Sequence, residues 1–156
     1  MTPEQEELVR TTWRRFDPTP RAATVQFYQR LFELDPMVQQ LFAGVDLVEQ
    51  ERKLMAMLAQ IVRAIGRPEE LVTSVAALGR RHVHYGVKDA DYESVGAALL
   101  WTLEQGLGDA FTPEVRAAWT EAYLTVATVM RRAATRGQIT GERPALHPGS
   151  HGHRDP

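Results

Sequence analysis

The sequence predicts an all-α fold of about seven to eight helices, on three observations. Apolar residues recur at helical intervals from one end to the other, Pro and Gly sit at the borders of those periodic runs, and no segment alternates as a strand does. A chain of 156 residues with 44% hydrophobic and 24% charged residues is long enough for one domain with a real core.

Thr2-Pro3-Glu4-Gln5 reads as an N-cap, a first-turn Pro and a capping-box Gln, leading into a helix with Leu8, Val9, Trp13 and Phe16 inward. Asp17-Pro18-Thr19-Pro20 breaks that helix and opens the next, whose apolar positions Val25, Phe27, Tyr28, Leu31 and Phe32 continue to the Asp35-Pro36 corner. A short helical segment reaches Leu41-Phe42 before a turn at Gly44. From about Leu47 a longer helix carries Leu54, Met57, Leu58, Ile61, Val62 and Ile65 inward and stops at Gly66. The next helix holds Leu71, Val75, Leu78 and His82, with Gly86 as its stop signal.

Two long helices close the fold. One runs from about Asp89 through Tyr92, Val95, Leu99, Leu100, Leu103 and Leu107 to Gly108. The other opens at Thr112-Pro113 and turns Val115, Trp119, Ala122, Tyr123, Val126, Val129 and Met130 inward. After about Arg136 the composition shifts to Gly, Pro, Arg and His, which divides the chain into a folded part, 1–136, and a flexible tail, 137–156.

A net charge of −2 gives no electrostatic reason to expect nucleic acid or an anionic membrane as partner. No apolar run approaches the length of a membrane span, and the acidic N-terminus lacks the basic and apolar parts of a secretory signal, so the expected location is cytoplasmic. Zero cysteines exclude disulfides, iron–sulfur clusters and thiolate-held metals, leaving nitrogen and oxygen as the available ligands.

His82 is the residue with most chemistry in this pattern. Leu71, Val75, Leu78 and His82 follow at intervals of four, three and four, which places them on one helix face. His84 falls on another side, among Ala77, Arg80 and Arg81. Spacing alone leaves two readings of His82, a buried imidazole bonded to backbone carbonyls or a metal ligand. His147, His151 and His153 belong to the tail, where a solvated disordered segment is the expectation and uptake of a stray transition metal the alternative.

Several motifs make the chain more specific: Leu78-Gly79-Arg80-Arg81-His82, Gly86-Val87-Lys88, Val95-Gly96, Leu99-Leu100, Leu107-Gly108, and Phe111-Thr112-Pro113 through Arg116-Ala117-Ala118-Trp119. Leu8-Val9-Arg10, Trp13, Leu31-Phe32, Pro36 and Leu41-Phe42 add to them. With these the chain, over roughly 4–133, resembles the globin family, in particular neuroglobins and related bacterial single-domain globins. The resemblance implies a globin fold around a haem pocket and haem b, iron protoporphyrin IX, as cofactor. It makes His82 the proximal ligand of the iron, a neutral imidazole supplying one strong nitrogen bond and leaving the opposite face open.

On that opposite face the resemblance places Gln50 and Leu54, whose i,i+4 spacing sets them side by side, with Gln in place of the usual distal histidine. Tyr28 matches the inward distal position of the second helix, Phe42 the aromatic that wedges against the porphyrin, and Lys53 the base that reaches a propionate. Each also has a plainer reading: Tyr28, Leu54 and Phe42 as core, Gln50 and Lys53 as solvated residues. His84, Arg80 and Arg81 read as surface, with a propionate contact as the alternative.

Tyr28 and Gln50 are also the distal pair that resembles flavohaemoglobins, which turn dioxygen and nitric oxide into nitrate. Those proteins carry a reductase and a proximal Tyr–Glu pair; here Tyr92 has the matching spacing from His82, but the Glu position falls among Arg131-Arg132-Ala133-Ala134. The first expectation is therefore reversible binding of dioxygen, and of NO and CO, for storage, transport or scavenging. A nitric oxide dioxygenase served by a separate reductase, with Tyr28 and Gln50 as its catalytic candidates, is the enzyme alternative, and a gas sensor the third.

Overall fold

The computed structural model describes residues 1–16, 20–84 and 88–139, with side chains except those at 20, 21, 77–84, 89 and 134–139. Seven α-helices follow one another among these residues: α1 (Pro3–Phe16), α2 (Pro20–Leu34), α3 (Pro36–Gln39), α4 (Leu47–Ala64), α5 (Pro68–His84), α6 (Asp89–Leu107) and α7 (Pro113–Ile139). Single 3-10 turns at Gln40–Phe42 and Gly108–Ala110 complete the set, and no strand occurs among the described residues. The expected all-α class and the order of its elements are what the chain adopts.

Local chemistry explains most boundaries. The Thr2 amide donates to Gln5 Oε1 at 2.9 Å and the Gln5 amide to Thr2 Oγ1 at 3.1 Å, so two of the orphan donors opening α1 are satisfied reciprocally. At α4, Asp46 Oδ1 accepts from the amides of Val48 and Glu49 at 3.0 and 3.3 Å. The chain leaves α4 through Gly66 at φ +87°, in the left-handed region that glycine alone enters cheaply, while Arg10 Nη2 donates to the Ile65 carbonyl at 2.7 Å. The last helix runs on to Ile139; residues 140–156, with His147, His151 and His153 in the expected tail, lie outside the described residues, as do Asp17-Pro18-Thr19 and Gly86.

Helix α5 packs on α7, α2 on α6, and α4 against α2 and α5, while α4, α6 and α7 all face an interior space. Close helix contact has a sequence cause at Gly96 in α6: a Cβ there would come within 2.7 Å of the Tyr123 ring of α7. On the far side α1 seals the core with Val9, Trp13 and Phe16, packed with Val62, Leu103 and Trp119.

One polar contact ties α1 to α7 inside this core. Thr12 Oγ1 accepts from Trp119 Nε1 at 2.9 Å and itself donates to the Leu8 carbonyl at 2.6 Å. Thr12→Val keeps the volume but strands a buried indole N–H, so an expected loss of about 1–3 kcal/mol follows from the desolvation of an unpaired donor. Urea unfolding of the two proteins measures it; equal midpoints would deny the bond a structural role.

Candidate functional site

Helices α4, α6 and α7 do not close completely on one another. Between them lies an apolar cavity of about 150 Å³, walled by Leu54, Leu58 and Ile61 of α4, Val95 and Leu99 of α6, and Val126 of α7. Phe27 of α2 and Tyr92 of α6 also reach its wall. The sequence pattern marks these residues as inward, which they are, but an inward residue next to a space and one in a filled core have the same periodicity.

Leu54 carries the cavity wall toward a polar cluster on α2 and α4. Tyr28 of α2 is 5% exposed, with its ring edge-on to Phe27 at 5.0 Å and to Phe42 at 5.5 Å. Gln50, one turn before Leu54 on α4, is 6% exposed and hydrogen-bonded to the Tyr28 side chain. Burial pushes the Tyr28 hydroxyl's pKa far up; the Gln50 bond pulls the other way, and the negative charge of Glu51 adds to the rise. Tyr28 therefore keeps its proton throughout the neutral range and is a donor at any physiological pH.

Phe42 and Phe32 meet at 5.5 Å, and Phe32 lies 6.1 Å from the Tyr28 ring, so an aromatic group backs the phenol. Lys53 is partly exposed on the same helix as Gln50 and Leu54. Of the residues singled out from sequence, the structure thus packs Tyr28, Phe42 and Leu54 in one cluster, with Gln50 one turn before Leu54, and Leu54 alone of the four lines the cavity. The plainer reading of Gln50, a solvated amide, does not hold, because the side chain is buried and bonded.

Tyr92 occupies the α6 side. Its backbone carbonyl accepts from the Tyr123 hydroxyl at 2.5 Å, and the Arg131 guanidinium lies over its ring at 4.7 Å from the centroid. Where the flavohaemoglobin pattern has a carboxylate beside the tyrosine, this chain has a cation stacked on it. Burial pushes the Tyr123 hydroxyl's pKa up as well.

Helix α5 packs on α4 and α7, which carry two of the cavity walls. Leu71 and Val75 are buried on its inner face, 8% and 0% exposed, and the helix continues without a break through His82 and His84. His82 follows Val75 by two helical turns, on the same face of the backbone. The side chains of His82, His84, Leu78, Arg80 and Arg81 lie outside the described residues.

These surroundings fit a porphyrin better than a bare metal ion. The walls offer hydrocarbon to a flat apolar macrocycle, and one buried pair of polar groups lies beside Leu54 of that wall. No group of three or more His, Cys, Asp or Glu side chains converges as a metal site among the described residues. Sequence reading missed Glu51, masked by its neighbour Gln50, and Phe27, which periodicity marks only as inward.

Comparison with known proteins points the same way. The globin family model matches residues 25–130. The chain is 30% identical over 132 residues, 81% of itself and 91% of the relative, to a protein of Oryza sativa subsp. indica named an anaerobic nitrite reductase. It is 29% identical over 145 residues to a neuroglobin of Tetraodon nigroviridis, covering 85% of this chain and 91% of that one. A neuroglobin of Chaenocephalus aceratus is 28% identical over 143 residues, with 83% and 90% covered.

Proposed function

The chain belongs to the globin family, and from that premise we propose that it binds haem b through His82 and reversibly holds a diatomic gas, dioxygen foremost, against Tyr28 and Gln50. The observation that carries the reading is the buried, hydrogen-bonded Tyr28–Gln50 pair next to Leu54, which lines the apolar cavity. Haem supplies the iron to which the gas binds; the chain supplies its surroundings. His82 of α5 is the residue to hold the iron, Phe42 and Leu54 to pack the macrocycle, Lys53 to meet a propionate, and Tyr92 to support the proximal side.

The distal pair does the discriminating work. Dioxygen gathers negative charge when it is held, so an O–H from Tyr28 and an N–H from Gln50 stabilise it by charge-assisted hydrogen bonds. Carbon monoxide gathers less and gains less. Gln50 has a second consequence: an amide is a poor ligand for haem iron, whereas a histidine at this position competes with gas for the site. We expect the resting protein to show an open or water-bound iron. Absorption spectra of the full chain with His147, His151 and His153 replaced by Ala test this, and a bis-imidazole spectrum from that protein would contradict it.

The same donors favour a second reading, an enzyme in which nitric oxide and dioxygen combine to nitrate while a separate reductase restores the reduced state. Arg131 over Tyr92 argues against the peroxidase-like activation that a proximal carboxylate supports. Sustained nitrate formation with a cellular reductant favours the enzyme, and reversible oxygenation without turnover favours the carrier. The name of the rice relative makes nitrite, supplied without oxygen, the third substrate for that assay.

A further inference from the structure

Glu51 is the acidic neighbour of the Tyr28–Gln50 pair. It follows Gln50 in α4, and Met55, one turn after it, lines a small interior space shared by α1, α2, α4, α6 and α7, where Thr24 and Phe27 are the α2 neighbours. The α4 face that carries Glu51 and Met55 is thus turned toward the interior that α2 also lines. One carboxylate oxygen, Oε1, is buried and accepts no hydrogen bond.

Neighbouring charges are committed elsewhere. On α2, Arg30 pairs with Glu33 at 3.5 Å and lies over the Trp101 ring. On α4 itself Arg52 pairs with Glu49, and Lys53 falls some 200° round the helix from Glu51. From the other helices packed on α4, Arg67 of the α4–α5 turn pairs with Glu70 at 3.2 Å, and Arg10 of α1 bonds the Ile65 carbonyl. Among the described residues no ion pair neutralises Glu51.

We propose that Glu51 makes this pocket select neutral gases over anions, its uncompensated carboxylate setting a negative potential beside the Tyr28–Gln50 pair. Two buried donors on their own form an anion trap, drawing azide, cyanide or nitrite as readily as a polarised gas. A nearby negative charge opposes a ligand that carries a full negative charge more strongly than a neutral gas that gathers only partial charge once held. Glu51 directly follows the buried Gln50 in α4 with one carboxylate oxygen buried and unbonded, and its charge adds to the upward push on the Tyr28 hydroxyl's pKa. The inference rests on the reading that haem lies against this pair.

Glu51→Gln removes the charge and keeps the shape, and Glu51→Asp keeps the charge. Azide titration of the oxidised haem protein reads the effect. A unit charge within about 10 Å in a partly buried site is worth roughly a five- to thirtyfold change in affinity. Azide is expected to bind E51Q more tightly by that factor and E51D within about twofold of the parent, by the same estimate. The carbon monoxide stretching frequency gives a second readout, expected to fall in E51Q as the negative field is lifted. Unchanged azide affinity and frequency in an E51Q protein with a normal haem spectrum overturn the inference and leave the haem reading standing. Failure of every form to take up haem overturns both.

Discussion

His82→Ala is expected to abolish the axial bond and to weaken haem retention by more than about a hundredfold. The estimate starts from a lower bound, since loss of a group that merely orients a metal ligand costs about 10- to 100-fold in affinity, and here the ligand itself goes. No second nitrogen stands ready on the inner face of α5, where the residues before His82 are Leu71, Val75 and Leu78. His84, two positions on, lies on another side of the helix. The apolar cavity would still attract the macrocycle, so the variant is expected to bind haem loosely and without a strong nitrogen ligand. Imidazole added to the solution would restore a normal spectrum. Competition with a haem-scavenging protein measures the loss, and a variant that retains haem as tightly as the parent would remove His82 from the account.

Tyr28→Phe is expected to speed dioxygen dissociation by about 10- to 100-fold, the equivalent of a hydrogen bond to a charged acceptor worth about 1.5–3 kcal/mol. The rate of carbon monoxide loss, which depends less on hydrogen bonding, should change far less. Two details of the site sharpen the expectation. Burial keeps the phenol protonated, so the effect is the same across the neutral pH range. Gln50 is left buried without its partner, which costs stability as well as ligand affinity. Flow-flash or stopped-flow measurement of both gases settles the matter; an oxygen dissociation rate that does not quicken would mean that Tyr28 is core packing and no more.

The parts of this molecule that are legible in its sequence are those fixed within one or two helical turns. Thr2 and Gln5 announce their capping box because both partners lie three residues apart. Pro20, Pro36, Pro68 and Pro113 each open a helix for the reason that a first-turn residue needs no amide donor. Asp46 makes a comparable cap at α4 and was open to the same argument, two and three residues ahead of the amides it receives.

What depends on helix crossing is not written locally. Tyr28 and Gln50 are each readable as facing inward, but their hydrogen bond exists only because α2 and α4 cross at that level. Arg131 is visible in the sequence as an absent carboxylate, yet its place over the Tyr92 ring comes from the packing of α6 on α7. Periodicity likewise names Leu58, Ile61 and Val126 as interior without saying that they border a space. Glu51 is the clearest case: a charged residue beside a functional candidate reads as solvated, and only tertiary packing buries one of its oxygens.

The claim on which the rest depends is a single imidazole bond from α5 to haem iron, and resonance Raman spectroscopy of the reduced, ligand-free protein observes that bond itself. An iron–histidine stretching line that shifts on ¹⁵N-histidine labelling and vanishes in H82A is the predicted result. A spectrum without such a line, or a line that survives in H82A, would contradict the assignment.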